Sequence, residues 1–419
     1  MTIVIYEDTS RDQFYPLSLN RPVFSLKLGM FSLSEKIKYF YPHDKCLYLM
    51  NEELKNIFPE HNELKWDEVK LSEEYLFISG RVILSEILNI SVDQMSICEN
   101  EILAFRLKGE KVNKLKSEFF FQKDKLKNVF DEWKMKSIDF NGIKLNYLHD
   151  MISQNENEIN SDFIKLLDSN KINDYNNGEN IKSCIIGDNK NILIHKNARI
   201  YPGVYFLCDN GRIVIDSNAN IKPLSIIDGS CYIGKNALIE TAKVGGGTSI
   251  FDFCKIGGEV ENSIVLEMSN KHHEGFLGHS YVGSYVNLGA LSCTSDLKNN
   301  YGDVTVTLKG KKVNTKSLKL GAFIGDHTKL GIGSLINTGS VIGLGCNLYS
   351  EGGMYPKEIP SFLWGGKIPF KEYIFDKFIE NCKKVLKRRN KILNNEEIKL
   401  FKKIYQCEQE TRNYFKISS

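Results

Sequence analysis

The 419-residue sequence lacks the patterns that would place it in a membrane, a disulfide framework or a zinc site. No window approaches eighteen uninterrupted apolar residues, which argues against a transmembrane helix. The ten cysteines include no C-x-x-C pair, which favours reduced thiols. The start shows no basic region followed by an apolar one, so no secretory signal is expected. These absences predict a cytoplasmic protein.

An excess of charge of one sign is also lacking. The 55 basic and 52 acidic residues give a formal charge of +3, which makes no general case for binding nucleic acid or a membrane. The basic run KKVLKRRNK (383–391) is a local exception. It fits either a solvated helix face or a face that contacts the phosphates of an anionic cofactor. The hydrophobic fraction of 42% and the length predict a folded protein of two or three domains.

The first part of the chain alternates between two kinds of segment. Strand patterns occur at 2–8, 45–50, 74–79 and 101–107, and helical spacing occurs at 31–40 and 51–58. This alternation predicts an α/β layer with a mostly parallel sheet. Ligands of such sheets usually lie at the carboxyl ends of strands. We therefore expect a site mouth at Glu7, Asp8, Arg11 and the segment PLSLNRPVFSLKLG (16–29).

Aliphatic residues then recur every six positions from about 184 to 350. One register runs through Ile215, Ile221, Ile227, Ile233 and Ile239. This period matches neither an α-helix nor an ordinary strand, whose periods are about 3.6 and 2. It is typical of a parallel β-helix in which three repeats make one turn. We expect an α/β domain at 1–165, a linker at 166–183, the β-helix at 184–355 and a C-terminal extension at 356–419, with helices near 371–390 and 395–414.

The registers break twice, around 257–275 and 291–317, and each break predicts a loop that leaves the coil. The stretch 262–301 overlaps both breaks and carries His272, His273 and His279 within eight residues. Polar residues on a rigid coil favour a site for chemistry. A coil that serves only to assemble copies of the chain, without catalysis, would not need this polar cluster.

The hexapeptide pattern resembles that of left-handed parallel β-helix acyltransferases, which form trimers. A narrower resemblance follows from HEGFLGHSYVGSYVNLGA (273–290), which is similar to the acetyltransferase domain of GlmU. The equivalent segment of GlmU carries a catalytic histidine, followed by an aromatic residue, an Asn and an Ala at the same intervals. The chain is most similar to a GlmU-like bacterial group on the motifs PLSLNRPVFSLKLG (16–29), GGEVENS (257–263), SNKHHEGFLGHSY (269–281), SDLKNNYG (295–302), IGDHTKLGIG (324–333) and PSFLWGG (360–366).

The resemblance implies acetyl transfer from acetyl-CoA to glucosamine 1-phosphate, with His273 as the base; an imidazole titrates near working pH and suits this task. His272 is a flanking variant, and His279 either orients His273 or lines the coil. Lys271 would hold the sugar phosphate. The implied substrate contacts are Asn270, Lys271, Phe276, Asn287, Asn300 and Tyr301, and the implied acetyl-CoA contacts are Ala290 and His327. Four extra residues between Asn287 and Asn300 depart from GlmU.

For the first domain the resemblance implies a nucleotidyltransferase that uses UTP and Mg²⁺. The Gly-rich phosphate loop of GlmU is absent, and FISGRVILSE (77–86) offers Arg81 where a metal-binding Asp is expected. Arg21 and Lys36 could contact phosphates instead. The domain could therefore be active, handle another nucleotide sugar, or be inactive. The metal ligands stay unassigned.

Overall fold

The computed structural model describes residues 1–178, 181 and 184–416. Two compact units make up the chain. The first contains Met1–Phe14, Asn20–Leu26 and Phe31–Tyr147, and the second contains Tyr15–Leu19, Lys27–Met30 and Leu148–Ser419. Residues 148–165, expected in the first domain, group with the second unit. Residues 179, 180, 182 and 183 of the expected linker and residues 417–419 lie outside the described part.

The first unit contains a six-stranded sheet whose strands, in spatial order, are β4 (Lys45–Leu49), β1 (Thr2–Tyr6), β5 (Glu74–Ser79), β8 (Glu101–Lys108), β7 (Gln94–Cys98) and β9 (Lys136–Asp139). The pairs β1/β4, β1/β5 and β7/β9 are parallel, and β8 runs antiparallel to both of its neighbours. Stacked aromatic rings fill the core, with Phe77 and Phe105 at 4.6 Å. The unit also contains the strands β3 Phe31–Ser32, β6 Val82–Leu84 and β10 Gly142–Lys144.

The helices of this unit are short. They are α1 Leu33–Phe40, α2 Glu52–Lys55, α3 Gly109–Val112 and α4 Lys125–Glu132. Helix α1 begins at a capping box in which Ser32 accepts from the Glu35 amide and the Glu35 carboxylate accepts from the Ser32 amide. The strands and helices that the sequence predicts here are confirmed, with ends shifted by a few residues.

The second unit is built on a parallel β-helix with two long sheets of ten and fourteen strands. The predicted inward column is confirmed, because Ile215, Ile233 and Ile250 lie next to one another in successive coils and are all buried in one apolar core. The ten-stranded sheet contains β11 Tyr175–Asn176, β13 Ile192–His195, β16 Ile213–Ile215, β19 Cys231–Ile233, β21 Thr248–Ile250, β23 Ile264–Val265, β26 Tyr281–Val282, β31 Ala322–Ile324, β34 Ser340–Ile342 and β36 Glu358–Ile359.

The fourteen-stranded sheet covers the adjoining faces of the coil. Its strands are β12 Ile185–Ile186, β14 Arg199–Ile200, β15 Tyr205–Leu207, β17 Asn220–Ile221, β18 Ile226–Asp228, β20 Leu238–Val244, β22 Lys255–Glu261, β24 Asn270–Lys271, β25 Phe276–Gly278, β27 Asn287–Leu288, β32 Lys329–Leu330, β35 Asn347–Leu348, β37 Leu363–Gly365 and β38 Lys371–Glu372. The remaining strands are β2 Lys27–Leu28, β28 Cys293–Thr294, β29 Thr305–Leu308, β30 Lys311–Asn314 and β33 Leu335–Ile336.

The two predicted breaks in the register differ in kind. At the second break the chain leaves the coil as the antiparallel hairpin β29/β30 and returns so that Val282 pairs with Ile324. The prediction of a loop at the first break is wrong. There β22 continues through Gly257 and Gly258 around a corner, and β24 and β25 pair with its two halves. The register shifts because this coil is shortened.

The described residues of this unit also form the α-helices α5 Leu148–Leu167, α6 Phe375–Lys387, α7 Asn395–Cys407 and α8 Gln409–Lys416. The expected C-terminal helices are confirmed, although the second of them is divided at Glu408, whose carboxylate accepts a hydrogen bond from the Ser361 amide at 2.9 Å. Phe415 of α8 packs into the β-helix core. Among the residues that the structure describes, no helix has the length and apolar character needed to span a membrane.

Candidate functional site

An open cleft of about 470 Å³ lies on one outer face of the β-helix. The register places Lys243 beside Glu259, and Glu259 beside Phe276. Each of these residues precedes an inward residue of its strand, so its side chain points outward. Leu224 and Cys293 add to the lining. The expected substrate residue Phe276 therefore lies in a cleft large enough for a small ligand.

Lys243 is the ammonium group that lines this cleft. Its Nζ lies 2.7 Å from Oε1 of Glu259. That hydrogen bond raises the pKa of Lys243, so the group stays charged at neutral pH. Glu274, in the turn before β25, also lines the cleft. The lining thus offers one cation and two carboxylates around an aromatic ring.

His273 lies at the corner of the coil between β24 and β25, directly before Glu274. Its side chain is exposed, and its ring centroid is 5.0 Å from that of His272. The corner is tightly stacked on the following coil, because a Cβ on Gly275 would meet the Ser292 carbonyl oxygen at 2.2 Å. The structure therefore holds the backbone of His273 at the edge of the cleft.

Lys271 has partners different from those that the resemblance implied. It pairs with Ile256 in the inward column, and its side chain is buried. Its Nζ donates to the carbonyl oxygens of Gly257 at 2.7 Å and His273 at 2.8 Å. Burial lowers the pKa of Lys271 to about 8. A Cβ on Gly258 would lie 2.7 Å from Nζ, so a glycine there lets the ammonium reach the corner. Lys271 supports the His273 turn from inside, and it is buried outside the lining of the cleft.

Asn270 and Asn287 lie side by side on a different face from Phe276, because β24 and β25 pair with the two halves of β22 on either side of its corner. Asn270 Nδ2 lies 3.4 Å from Asn287 Oδ1, and Nη2 of Arg389 lies 3.4 Å from Asn270 Oδ1. Ala290 follows β27 at the corner that stacks on the His273 turn, where the Leu291 amide donates to the Glu274 carbonyl oxygen at 2.7 Å.

The remaining expected contacts lie apart from the cleft. Asn300 and Tyr301 are exposed in the loop that leads to the β29/β30 hairpin, and Asn300 Oδ1 accepts from the Gly302 amide at 3.2 Å. His327 is buried; its ring stacks on Tyr285 at 4.9 Å, and Phe401 of α7 meets it edge-on at 5.5 Å. His327 therefore packs against the C-terminal helix α7.

His279 forms a pair with a residue that the sequence did not single out. Its Nδ1 lies 2.7 Å from Oδ2 of Asp296. Burial raises the pKa of the Asp296 carboxyl, but the hydrogen bond and charge of His279 together with the Lys319 ammonium outweigh burial, so that pKa is lowered. Glu261 lies close by, and its carboxylate is 3.8 Å from the Lys319 ammonium. The hydrogen-bond partner of the His279 side chain is therefore Asp296.

In the first unit, a narrow cleft forms where β1 and β5 end, as the parallel sheet predicted. Glu7, Asp8, Arg11 and Arg81 line it. Glu7 accepts hydrogen bonds from the Val23 and Asn51 amides, and burial raises the pKa of its carboxyl. Arg21 and Lys36 are both buried outside this lining, and Lys36 Nζ lies 6.0 Å from the Phe31 ring centroid.

Arg81 is the central cation of that cleft. Its Nε lies 3.5 Å from Asp8 Oδ2, its Nη1 lies 3.3 Å from the Leu145 carbonyl oxygen, and its Nη2 pairs with Glu101. The carboxylates that would be Mg²⁺ ligands are thus engaged by amides and a guanidinium group. The described residues of this cleft do not fit a Mg²⁺ site, which prefers free oxygen ligands in an octahedral arrangement.

Lys243, Glu259 and Asp296 are candidate functional residues that reasoning from the sequence missed. A signal for the first two was present, because each stands one position before an inward aliphatic residue, as Phe276 does. Stacking the repeats in register would have placed them beside Phe276. Asp296 carried no such signal, since it lies where the register is interrupted.

Comparisons with known proteins agree with this architecture. Residues 3–171 match the family model described as sugar nucleotidyl transferase. A bifunctional sugar-1-phosphate nucleotidylyltransferase/acetyltransferase of Sulfurisphaera tokodaii is 34% identical over 161 residues, which are 38% of this chain and 35% of that protein. The bifunctional protein GlmU of Thermotoga petrophila is 31% identical over 177 residues, with 36% of each chain covered. The alignments thus span about a third of each relative.

Among solved structures, the polySia-specific acetyltransferase NeuO is 16% identical, with 44% of this chain and 86% of that chain covered and a TM-score of 0.22. That likeness is too distant to support a functional argument. The match and the fold together describe a chain in which a region similar to sugar nucleotidyl transferases is followed by a parallel β-helix. The chain is therefore similar to bifunctional proteins of the GlmU type over 36–38% of its length.

Proposed function

We propose that the chain is a bifunctional enzyme of nucleotide-sugar synthesis. Its β-helix transfers the acetyl group of acetyl-CoA to the amine of glucosamine 1-phosphate, and its first unit transfers a uridylyl group from UTP to the product. The observation that supports the proposed acetyl transfer is the cleft beside the His273 corner, in which Lys243, Glu259 and Phe276 are stacked in register. An aromatic ring with a cation and carboxylates suits an amino sugar phosphate.

In the acetyl transfer His273 acts as the general base. It takes a proton from the sugar ammonium; the amine then attacks the thioester carbonyl, the C–N bond forms, the C–S bond breaks, and the CoA thiolate takes up a proton. The exposed His273 side chain precedes Glu274, which lines the cleft, so rotation about its side-chain bonds brings the ring to the cleft mouth. Lys243 pairs with the sugar phosphate, and Phe276 packs against the sugar ring.

The proposal includes assembly into a cytoplasmic homotrimer. Leu224, Leu291 and Ile332 are large apolar side chains that are exposed on the outside of the coil. Burial of such side chains between copies would remove apolar area from water. The ten cysteines are free thiols, which fits a reducing compartment.

The acetyl transfer is tested by release of free CoA thiol from acetyl-CoA in the presence of glucosamine 1-phosphate. Wild-type protein should release thiol, and His273→Ala should lower kcat by about 10²-fold or more, as expected for loss of a general base. His43→Ala serves as the matched control, because His43 is an exposed histidine of the other unit. Absence of thiol release from wild-type protein, or equal rates in wild type and His273→Ala, would contradict the proposal.

A second reading is favoured by the contacts of Arg81. Because its guanidinium group pairs with Asp8 and Glu101, the first unit could bind a different nucleotide sugar or have no nucleotidyltransferase activity. Pyrophosphate release from a panel of nucleoside triphosphates with N-acetylglucosamine 1-phosphate and Mg²⁺ separates the readings. Release with UTP alone supports the first, release with another triphosphate supports the second, and no release with any supports an inactive unit.

A further inference from the structure

Three metal-ligating side chains meet on the outer surface of the β-helix, next to the cleft. Glu261, His279 and Asp296 each offer one ligand atom, and these three atoms lie within 4.8 Å of one another. The residues come from three successive coils, at the ends of β22, β25 and β28. They are therefore distant in sequence and are brought together only by the stacking of the coils.

The backbone holds the three residues in a fixed frame. The His279 amide donates to the Glu261 carbonyl oxygen at 3.1 Å, and the Gly321 amide donates to the His279 carbonyl oxygen at 2.9 Å. The Leu320 amide donates to the Asp296 carbonyl oxygen at 2.8 Å. Ligands on such rigid elements need little ordering when an ion binds, which favours affinity.

Position 278 must be a glycine for Asp296 to reach the cluster. A Cβ on Gly278 would lie 2.6 Å from Asp296 Oδ2 and 2.5 Å from the Phe276 ring. The Asp296 carboxylate and the Phe276 ring thus both pack against the Gly278 backbone. The cluster is consequently adjacent to Phe276, which lines the cleft.

Charge is not balanced within the cluster. Two carboxylates face one imidazole, and the ammonium group of Lys319 lies 3.8 Å from Glu261. The side chains of Glu261, His279 and Asp296 are 28%, 17% and 12% exposed, so water still has access. One imidazole nitrogen with two carboxylate oxygens is a ligand set suited to divalent first-row ions.

We propose that Glu261, His279 and Asp296 form a binding site for one divalent transition-metal ion of the Mn²⁺, Co²⁺ or Zn²⁺ type. Ligand bonds of about 2.1 Å would require the His279 and Asp296 atoms, now 2.7 Å apart, to separate by a few tenths of an ångström. Side-chain rotation is sufficient for that. The ion replaces the proton between the two groups and ties three coils together where the β29/β30 loop leaves and rejoins the coil. This site goes beyond the proposed function and does not depend on it.

The test is direct titration of chelator-treated full-length protein with Co²⁺, followed by visible absorption and calorimetry. Wild-type protein should bind one ion in an imidazole-containing environment, and His279→Gln and Asp296→Asn should each weaken binding by at least about 10-fold. The matched controls are His195→Gln and Asp303→Asn, which change the same residue types elsewhere in this unit and should bind as wild type does. Circular dichroism and thermal melting establish that the variants fold.

A second readout is stability. Saturating Mn²⁺ or Zn²⁺ should raise the melting temperature of the wild type and of both controls, but not of His279→Gln or Asp296→Asn, since an ion that binds only the folded state stabilises it. No Co²⁺ binding by wild type, or equal affinity in wild type and both cluster variants, overturns the proposal. Because no substrate is present, this result is independent of whether the protein transfers acetyl groups.

Discussion

The ammonium nitrogen of Lys271 lies 2.8 Å from the carbonyl oxygen of His273 and donates a hydrogen bond to it. A second bond of 2.7 Å to the Gly257 carbonyl oxygen fixes the same ammonium from the previous coil. The corner that carries the proposed base is therefore held by a charge placed in the aliphatic column of the coil. A buried charge of this kind costs stability unless its hydrogen bonds compensate.

The buried ammonium makes stability depend on pH. Burial lowers the pKa of Lys271 to about 8, whereas an unfolded lysine titrates near about 10.4. The unfolded state therefore binds more protons between these values, so the free energy of unfolding rises with pH across that window. Below about pH 8 the full cost of burial is present. Lys271→Met removes this titration.

Between pH 7 and pH 10.5 the free energy of unfolding of wild type should rise relative to that of Lys271→Met by up to about 3 kcal/mol. The rise is smaller if water reaches the ammonium. Urea unfolding at several pH values measures the difference. The exposed Lys235→Met is the control and should run parallel to wild type. Parallel curves for Lys271→Met and wild type would show that Lys271 is not titrating in this window.

His327 is expected to hold the C-terminal helices on the coil. Its ring stacks on Tyr285 and meets Phe378 and Phe401 edge-on. Since φ is 60° at this position, His327→Asn is the suitable change, because Asn tolerates left-handed backbone. Loss of the ring should destabilise the docking by about 2–3 kcal/mol. Hydrogen exchange should become faster in α6 and α7 and stay unchanged in β13–β21, whereas His43→Ala should leave both regions unchanged.

Particular residues show how far the sequence could lead. The six-residue period predicted the inward column, because aliphatic side chains that recur once per face fill a narrow coil. The period could not show that the Lys271 side chain points into the coil. The shortened coil places Lys271 at a position that does not follow the six-residue spacing from the preceding aliphatic residues. The His279–Asp296 pair also depends on which coils stack on one another. The insertion that follows Asp296 interrupts the repeat, so the sequence does not reveal this stacking. The expected first domain ended at residue 165 and so included α5, which groups with the second unit by contact; an apolar stripe does not identify the partner of a helix.

Asn155 of α5 is expected to be essential for fastening that helix to the β-helix. Its Oδ1 accepts from the Gly29 amide at 2.8 Å, and its Nδ2 donates to the Gly247 carbonyl oxygen at 2.9 Å. Asn155→Leu keeps the volume but leaves a buried donor and a buried acceptor without partners. The expected cost is about 3 kcal/mol. The exposed Asn157→Leu on the same helix is the control. Thermal melting and limited proteolysis near residues 27–30 measure the effect, and equal resistance of the two variants would contradict it.

The cleft makes a kinetic prediction through Lys243. If its ammonium pairs with the sugar phosphate, Lys243→Met removes an interaction made equally in the bound substrate and the transition state. The KM for glucosamine 1-phosphate should then rise about 10-fold, which corresponds to about 1.4 kcal/mol, while kcat and the KM for acetyl-CoA change little. Lys243→Arg keeps the charge and should recover most of the affinity. The exposed Lys235→Met should behave as wild type. A KM for glucosamine 1-phosphate that is the same in Lys243→Met and wild type would place the phosphate elsewhere, whereas a fall in kcat alone would assign Lys243 to the chemical step.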